Sequence, residues 1–183
     1  SQARKWGMTQ TYFNDPTGLS VSNQSTIRDI QKLVERIYEN FPDIFSITRN
    51  RTLTVKELGS GIVRVASSTN NFSGRPDFLG GKTGYTDDAN GNLVSLFSYG
   101  NRPILVVVLG SDDRFEDSEK LITRVYNLVR RLIKDGKLVD GANFYWRTLP
   151  GERLRAERYY TPEGVEIIKR VLESKLLSDI SEV

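Results

Sequence analysis

From Phe78 to Gly110 three strand-like stretches follow one another, with connections too short to hold a crossover helix. Phe78 to Thr86 (FLGGKTGYT) reads as the first, and Asp87 to Gly91 (DDANG) as the turn that ends it. Asn92 to Tyr99 reads as the second, Gly100-Asn101 as a two-residue hairpin, and Pro103 to Gly110 as the third. Parallel neighbours need a long crossover, so short connections imply an antiparallel meander. The apolar run Ile104 to Leu109 predicts that the third strand is buried on both faces.

Helical signals flank this sheet. Ser25 is placed to cap a helix carrying Ile27, Ile30, Leu33, Val34, Ile37 and Tyr38, and Pro42 ends it. Glu116 to Lys134 has Leu121, Val125, Leu128 and Leu132 on one face and Gly136 as its stop. Trp6 to Leu19, rich in turn formers and aromatics, reads as an ordered loop. Residues 44 to 66 hold short extended pieces, including Thr52 to Val55 and Ile62 to Ala66. Thr161 and Pro162 signal a last helix with Val165, Ile168, Leu172 and Leu176 as its stripe. The class is α+β, an antiparallel sheet flanked by helices.

What is missing from the composition narrows the chemistry. The 183 residues contain no histidine and no cysteine. Ser-His-Asp triads, His-ligated zinc, disulfides and thiolate nucleophiles are therefore excluded within this chain. Any hydrolase built here uses lysine, tyrosine or a carboxylate as its base. Lysine and arginine number 26 against 23 acidic residues, with no basic block, so nucleic acid is not an expected partner. The longest apolar run, Ile104 to Leu109, is too short to span a bilayer.

The strongest chemical signal is Lys82-Thr83-Gly84 within FLGGKTGYTD. A phosphate-binding P-loop is one reading, but it needs a glycine where Pro76 stands and a helix directly after the lysine. A strand lining an acyl-transfer site is another. There a lysine ammonium and a threonine hydroxyl hold a carboxylate, and a glycine admits close approach of substrate backbone. The next amide, that of Tyr85, is placed to donate to an oxyanion. A glycine-rich surface strand with a solvated lysine is the plain structural alternative.

The surrounding segments decide among these. Residues 3 to 19, ending in Asp15-Pro16-Thr17-Gly18-Leu19, are followed by Gln24-Ser25-Thr26-Ile27-Arg28-Asp29-Ile30 and by Thr69-Asn70. Then come GGKTGYTDDA, the strand from Arg102 to Gly110, and Asp113-Arg114-Phe115. In order and spacing this resembles the penicillin-binding, serine-type D-alanyl-D-alanine carboxypeptidases. The resembling segments are an N-P-x-G-L loop, an S-T-A-x-D-L helix start, a T-N pair, the G-x-KTG-Y-T-x-x-A stretch, the last long strand and an arginine at the C-terminal helix.

The resemblance implies a β-lactamase/transpeptidase-like sheet and an enzyme that removes the terminal D-alanine from peptidoglycan stem peptides through a serine acyl-enzyme. It implies no metal or cofactor, β-lactams as further ligands, and a location outside the cytoplasm. Lys82 and Thr83 would contact the substrate carboxylate and Gly84 would keep the strand approachable. The Tyr85 amide would form half of an oxyanion hole, and Thr86 would add a contact. Arg114 would tune the field near Lys82; the alternative is a surface ion pair with Glu116 or Asp117.

Two departures shape the expectation. No serine has a lysine three residues later, so the Ser-x-x-Lys nucleophile of that family is not in this chain. Ser68-Thr69-Asn70 matches Ser-x-Asn in letters but stands far too late in the order. Asn90 also replaces a usual glycine. Residues 1–136 are thus expected to be the C-terminal part of the peptidase domain and 137–183 an extension, which serves either docking or a packed final helix. The expected partner is an N-terminal portion carrying Ser-x-x-Lys. A non-catalytic module binding peptidoglycan or a protein, and a serine β-lactamase or esterase, are the other classes such a scaffold serves.

Overall fold

The computed structural model describes residues 2–99 and 102–137. It contains α1 (Gln2–Lys5), α2 (Ile27–Asn40), α3 (Pro42–Thr48), β1 (Thr52–Lys56), β2 (Val63–Ser67), β3 (Phe78–Thr86), β4 (Asn90–Tyr99), β5 (Arg102–Ser111) and α4 (Arg114–Lys134). β1 and β2 form an antiparallel ribbon, and a second sheet has the order β3-β4-β5. The α+β class and the chain-order sheet are as expected. The Gly100-Asn101 turn, the aromatic tail and the final helix at Thr161 lie outside the described residues.

Two compact units divide the chain, Ser1–Ser98 with Ile104–Ile122, and Tyr99–Pro103 with Thr123–Val183. In the first, strand alternation sends Leu93, Ser95 and Phe97 to one face of β4 and Val94 and Leu96 to the other. Leu96 packs with Val34 and Phe45, and Ile30, Ile37, Tyr38, Leu79, Val94 and Leu105 surround that cluster. The opposite face is aromatic. Phe72 lies 5.2 Å from Phe97 and 5.6 Å from Phe115, both edge-on, and Phe78 lies 5.4 Å from Phe97. Each such pair is worth about 0.5–1.5 kcal/mol beyond its buried area.

The second unit's described residues are few. Tyr99 and Tyr126 approach to 4.6 Å between ring centres. The end of α4 is closed by Gly136 at φ 67°, with Gly136 N donating to the Ile133 carbonyl (3.0 Å) and Lys137 N to that of Leu132 (2.8 Å). This paired closure is a Schellman motif, as the position of the glycine foretold.

Several local expectations are corrected. The cap of α2 is Thr26, whose Oγ1 accepts from Asp29 N at 3.3 Å, while Ser25 Oγ pairs with Thr11 Oγ1 at 2.8 Å. The extended pieces expected at Thr52 to Val55 and Ile62 to Ala66 correspond to β1 and β2, but residues 44–48 ahead of them are helical, because Pro42 both ends α2 and starts α3 as its first residue. β5 is not buried on both faces. Arg102, Ile104, Val106 and Val108 are buried, Leu105 and Val107 half-buried, and Leu109 exposed. On α4 the buried line runs through Ser118, Ile122, Val129 and Leu132, with Leu121 left exposed. Leu132 is buried as expected and Val125 and Leu128 are half-buried, so of the expected stripe Leu121 alone faces solvent; Ser118, whose Oγ donates to the Arg114 carbonyl at 2.7 Å, is buried one turn before Ile122.

The opening segment is tied to α2 by one carboxylate. Asp29, 1 % exposed, accepts from Gln10 N and Thr11 Oγ1 (both 2.8 Å) and from Lys32 Nζ (3.0 Å). Burial alone would raise its pKa, but the hydrogen bonds from Thr11, Lys32 and Gln10 outweigh that and hold it below the usual value.

Asp15 organises the loop that follows. Its Oδ1 accepts from Thr17 Oγ1 (2.5 Å), Thr17 N (2.7 Å) and Gly18 N (2.9 Å), and its Oδ2 from Ser20 N (2.9 Å). The Thr17 hydroxyl and these amides lower its pKa from 3.8 to about 2. A depressed carboxylate pKa means that the ionised form holds the loop above the ordinary value, and that the hold fades as pH falls through about 2. An NMR titration of the Asp15 carboxyl carbon is expected to show a midpoint near 2. A midpoint near 3.8 would mean that these bonds do not persist in solution.

Candidate active site

β3 pairs with β4 on one side through Lys82↔Val94, Thr83↔Leu93, Gly84↔Asn92, Tyr85↔Gly91 and Thr86↔Asn90. Among the described residues no strand pairs with its other side. Lys82-Thr83-Gly84 therefore lies on an open sheet edge, the place where an extended peptide can add by backbone hydrogen bonding.

A glycine shapes this edge. β3 carries a register shift between Phe78 and Gly80, and Gly80 has φ +146°. A Cβ there would stand 2.7 Å from both the Phe45 carbonyl oxygen and Thr48 Oγ1. The end of α3 can thus approach the strand only because residue 80 has no side chain. Thr48 Oγ1 then accepts from Gly81 N at 3.1 Å, fixing the residue next to Lys82.

Beside the edge opens a cleft of about 280 Å³. Ile47, Thr48 and Asn50 form one wall, Leu53, Ala66 and Ser67 of the ribbon another, and Gly81, Lys82 and Thr83 a third. Ser68, Thr69 and Asn70 close it. Lys82 is exposed and its Nζ donates to the Thr83 carbonyl. Thr69 Oγ1 and Thr83 Oγ1 share a hydrogen bond of 2.9 Å. Ser68-Thr69-Asn70 stands too late in the order to be the Ser-x-Asn element, but the fold sets it against the KTG threonine. The Thr69-Asn70 pair preceding the KTG strand was the signal for it.

The remaining expected residues occupy distinct places. Tyr85 is exposed on the same strand. Thr86 Oγ1 accepts from Ala89 N at 3.2 Å, so its hydroxyl is engaged in the turn to β4. Asp113 caps α4, its Oδ1 accepting from Phe115 N (3.0 Å) and Glu116 N (2.9 Å), which sets Arg114 as the first helical residue. An Arg114 guanidinium nitrogen lies 3.5 Å from the Gly84 carbonyl, and the guanidinium sits 5.0 Å from the Phe115 ring centre. Glu116 and Asp117 instead meet Lys120, at 2.8 and 3.6 Å. Gly91 makes room for this approach, since a Cβ there would lie 2.7 Å from the Ser111 carbonyl and 3.3 Å from Arg114 Cβ.

Comparison with known proteins agrees with the order of these parts. The family model described as D-alanyl-D-alanine carboxypeptidase matches residues 1–113. The D-alanyl-D-alanine carboxypeptidase DacC of Escherichia coli is 33% identical over 127 residues, 66% of this chain and 30% of the relative. The D-alanyl-D-alanine endopeptidase of the same organism is 31% identical over 128 residues, 67% of this chain and 41% of the relative. The chain thus spans well under half the length of either curated relative. Among solved structures, the cefotaxime-bound penicillin-binding protein D2 of Listeria monocytogenes superposes with a TM-score of 0.58. It is 30% identical, covering 67% of this chain and 51% of that one. A mutant of the Streptomyces K15 DD-transpeptidase gives a TM-score of 0.59 at 25% identity, covering 67% and 49%. With the family model matching more than half of its residues, the KTG strand among them, the chain belongs to the D-alanyl-D-alanine carboxypeptidase family.

Proposed function

We propose that this chain supplies the carboxylate-binding wall of a serine-type D-Ala-D-Ala carboxypeptidase, which removes the terminal D-alanine from peptidoglycan stem peptides. The observation that carries this reading is the open edge at Lys82-Thr83-Gly84, with Lys82 and Thr83 both lining one cleft. A stem peptide lying along that edge presents its terminal carboxylate to the Lys82 ammonium and the Thr83 hydroxyl, a charge-assisted contact. Gly84 adds no side chain where the peptide backbone passes. The Tyr85 amide donates to the oxygen that becomes negative as the carbonyl is attacked. Arg114, held at the Gly84 carbonyl, adds positive potential to the same edge. Thr86 supports the strand through its turn bond as well as any substrate contact.

The attacking group comes from elsewhere, because no serine here has a lysine three residues on. A separate segment carrying Ser-x-x-Lys, which faces the cleft and leaves the β3 edge open to the peptide, is the partner required. Its lysine takes the serine proton as the hydroxyl adds to the penultimate D-alanine carbonyl. The C–N bond then breaks, D-alanine leaves with the proton, and water later hydrolyses the ester. A β-lactam carries a carboxylate in the same relation to its strained amide and acylates the same serine. Residues 1–136 serve as the peptidase part and 137–183 as an extension. The substrate places the protein outside the cytoplasm; no helix among the described residues is long and apolar enough to cross a membrane.

Labelling with a fluorescent penicillin tests this. The isolated chain is expected to form no covalent adduct, and adding the segment that bears Ser-x-x-Lys is expected to restore labelling on that segment. A stoichiometric label on the isolated chain would place the nucleophile within it. Failure of the combined protein to label would favour a non-catalytic binding module. Rapid β-lactam turnover without D-alanine release from a D-Ala-D-Ala peptide would favour a β-lactamase.

A further inference from the structure

We propose that Thr69 is a positioning residue for the KTG strand, holding the Thr83 hydroxyl so that its single proton is offered to the carboxylate of the substrate. The proposal rests on the carboxylate-binding reading of Lys82 and Thr83. Its structural basis is the 2.9 Å contact between Thr69 Oγ1 and Thr83 Oγ1, in a cleft that both residues line.

A hydroxyl has one proton to donate and two lone pairs to accept with. Either threonine of the pair can be the donor. An ionised carboxylate accepts only, so on its arrival Thr83 must turn its proton outward. Thr69 must then donate to Thr83. The chain Thr69 to Thr83 to carboxylate runs in one direction, and each bond polarises the next. Without Thr69 the Thr83 hydroxyl would rotate freely and its bond to the ligand would lose that support.

Thr69 is suited to this task because the loop around it is held at many points. Ser68 N donates to the Arg51 carbonyl (2.8 Å), Asn70 N to Ser68 Oγ (3.1 Å), and Phe72 N to Asn70 Oδ1 (3.0 Å). Ser68 Oγ and Ser73 Oγ pair at 2.8 Å, and Gly74 N donates to the Arg49 carbonyl at 3.0 Å. Phe72 anchors the loop in the aromatic face of the core, where Arg75 stacks 5.2 Å from its ring centre and pairs with Asp77 and Glu119. A donor carried on so constrained a loop needs little reordering when the ligand binds. Thr69 itself is exposed, so changing it leaves the core untouched.

The test uses the complete enzyme, with acylation rate constants measured for benzylpenicillin and for its methyl ester, which lacks the carboxylate. Thr69→Val is expected to lower the acid-to-ester ratio about 3- to 10-fold, the effect of one hydrogen bond, and Thr69→Ser to restore it. Thr69→Ala removes the hydroxyl without a branched replacement and is expected to match Thr69→Val. An unchanged ratio in both variants, an equal loss with acid and ester, or a serine variant as poor as valine would overturn the proposal. Lys82→Ala run alongside separates the two levels. If it too leaves the ratio unchanged, the carboxylate-binding reading itself is wrong; if it lowers the ratio and Thr69→Val does not, only the role of Thr69 falls.

Discussion

Replacing Lys82 with alanine in the complete enzyme is expected to slow acylation by β-lactams and by a D-Ala-D-Ala peptide about 10- to 150-fold, the worth of a charge-assisted contact of about 1.5–3 kcal/mol. The residue invites this test because its ammonium has so little to do within the fold. It is exposed, and its one described contact is with the adjacent Thr83 carbonyl. Stability should therefore barely move while reactivity falls. Lys82→Arg is expected to recover only part of the loss, since a broad planar fork does not replace a compact ammonium. The wild-type advantage should also shrink as salt rises, because an exposed charge is screened. Wild-type acylation rates in Lys82→Ala would return the motif to a surface strand with a solvated lysine.

The parts of this molecule that sequence foretold are those whose signals are local. β3 was legible to its ends because DDANG breaks it and glycines recur within it. The end of α4 was legible because only glycine closes a Schellman motif cheaply. The misplaced parts depend on partners distant in sequence. α3 was not read as a helix since its seven residues make barely two turns, and its place is set by packing on Gly80. The stripe of α4 was legible at Leu132 but not at Leu121, and buried Ser118 went unread because its hydroxyl is satisfied by a backbone bond that no hydropathy pattern displays.

The site divides in the same way. Lys82, Thr83 and Gly84 announce themselves as a tripeptide, and Asp113 locates Arg114 by capping. The cleft could not be read from the letters. It needs α3, the ribbon and the loop at 68–70 to converge on one strand edge. Thr69 shows the difference best: fourteen residues separate it from Thr83, and only the fold brings the hydroxyls within 2.9 Å.

Gly80→Ala is the substitution expected to cost most stability for the fewest atoms. The new methyl carbon would stand 2.7 Å from the Phe45 carbonyl oxygen and 2.9 Å from Phe45 Cα, backbone atoms that cannot swing aside as a side chain would. The backbone at φ +146° adds strain for any residue with a Cβ. Overpacking and strain of this kind each cost about 1–3 kcal/mol, so a combined loss of about 2–6 kcal/mol is expected. Gly18→Ala is the matched control. It also has positive φ, +81°, but nothing lies within 4 Å of the added carbon. Its cost should stay near 1–2 kcal/mol, the strain of the left-handed region alone. Urea denaturation of both variants gives the comparison through their midpoints. The gap between them measures how tightly α3 is pressed against β3. If α3 relaxes outward to spare the clash, the bond from Gly81 N to Thr48 Oγ1 is lost and the residue beside Lys82 is freed. Penicillin acylation should then fall in Gly80→Ala even where the protein remains folded, and stay at the wild-type rate in Gly18→Ala. Equal midpoints for the two variants would mean that α3 does not bear on the KTG strand in solution.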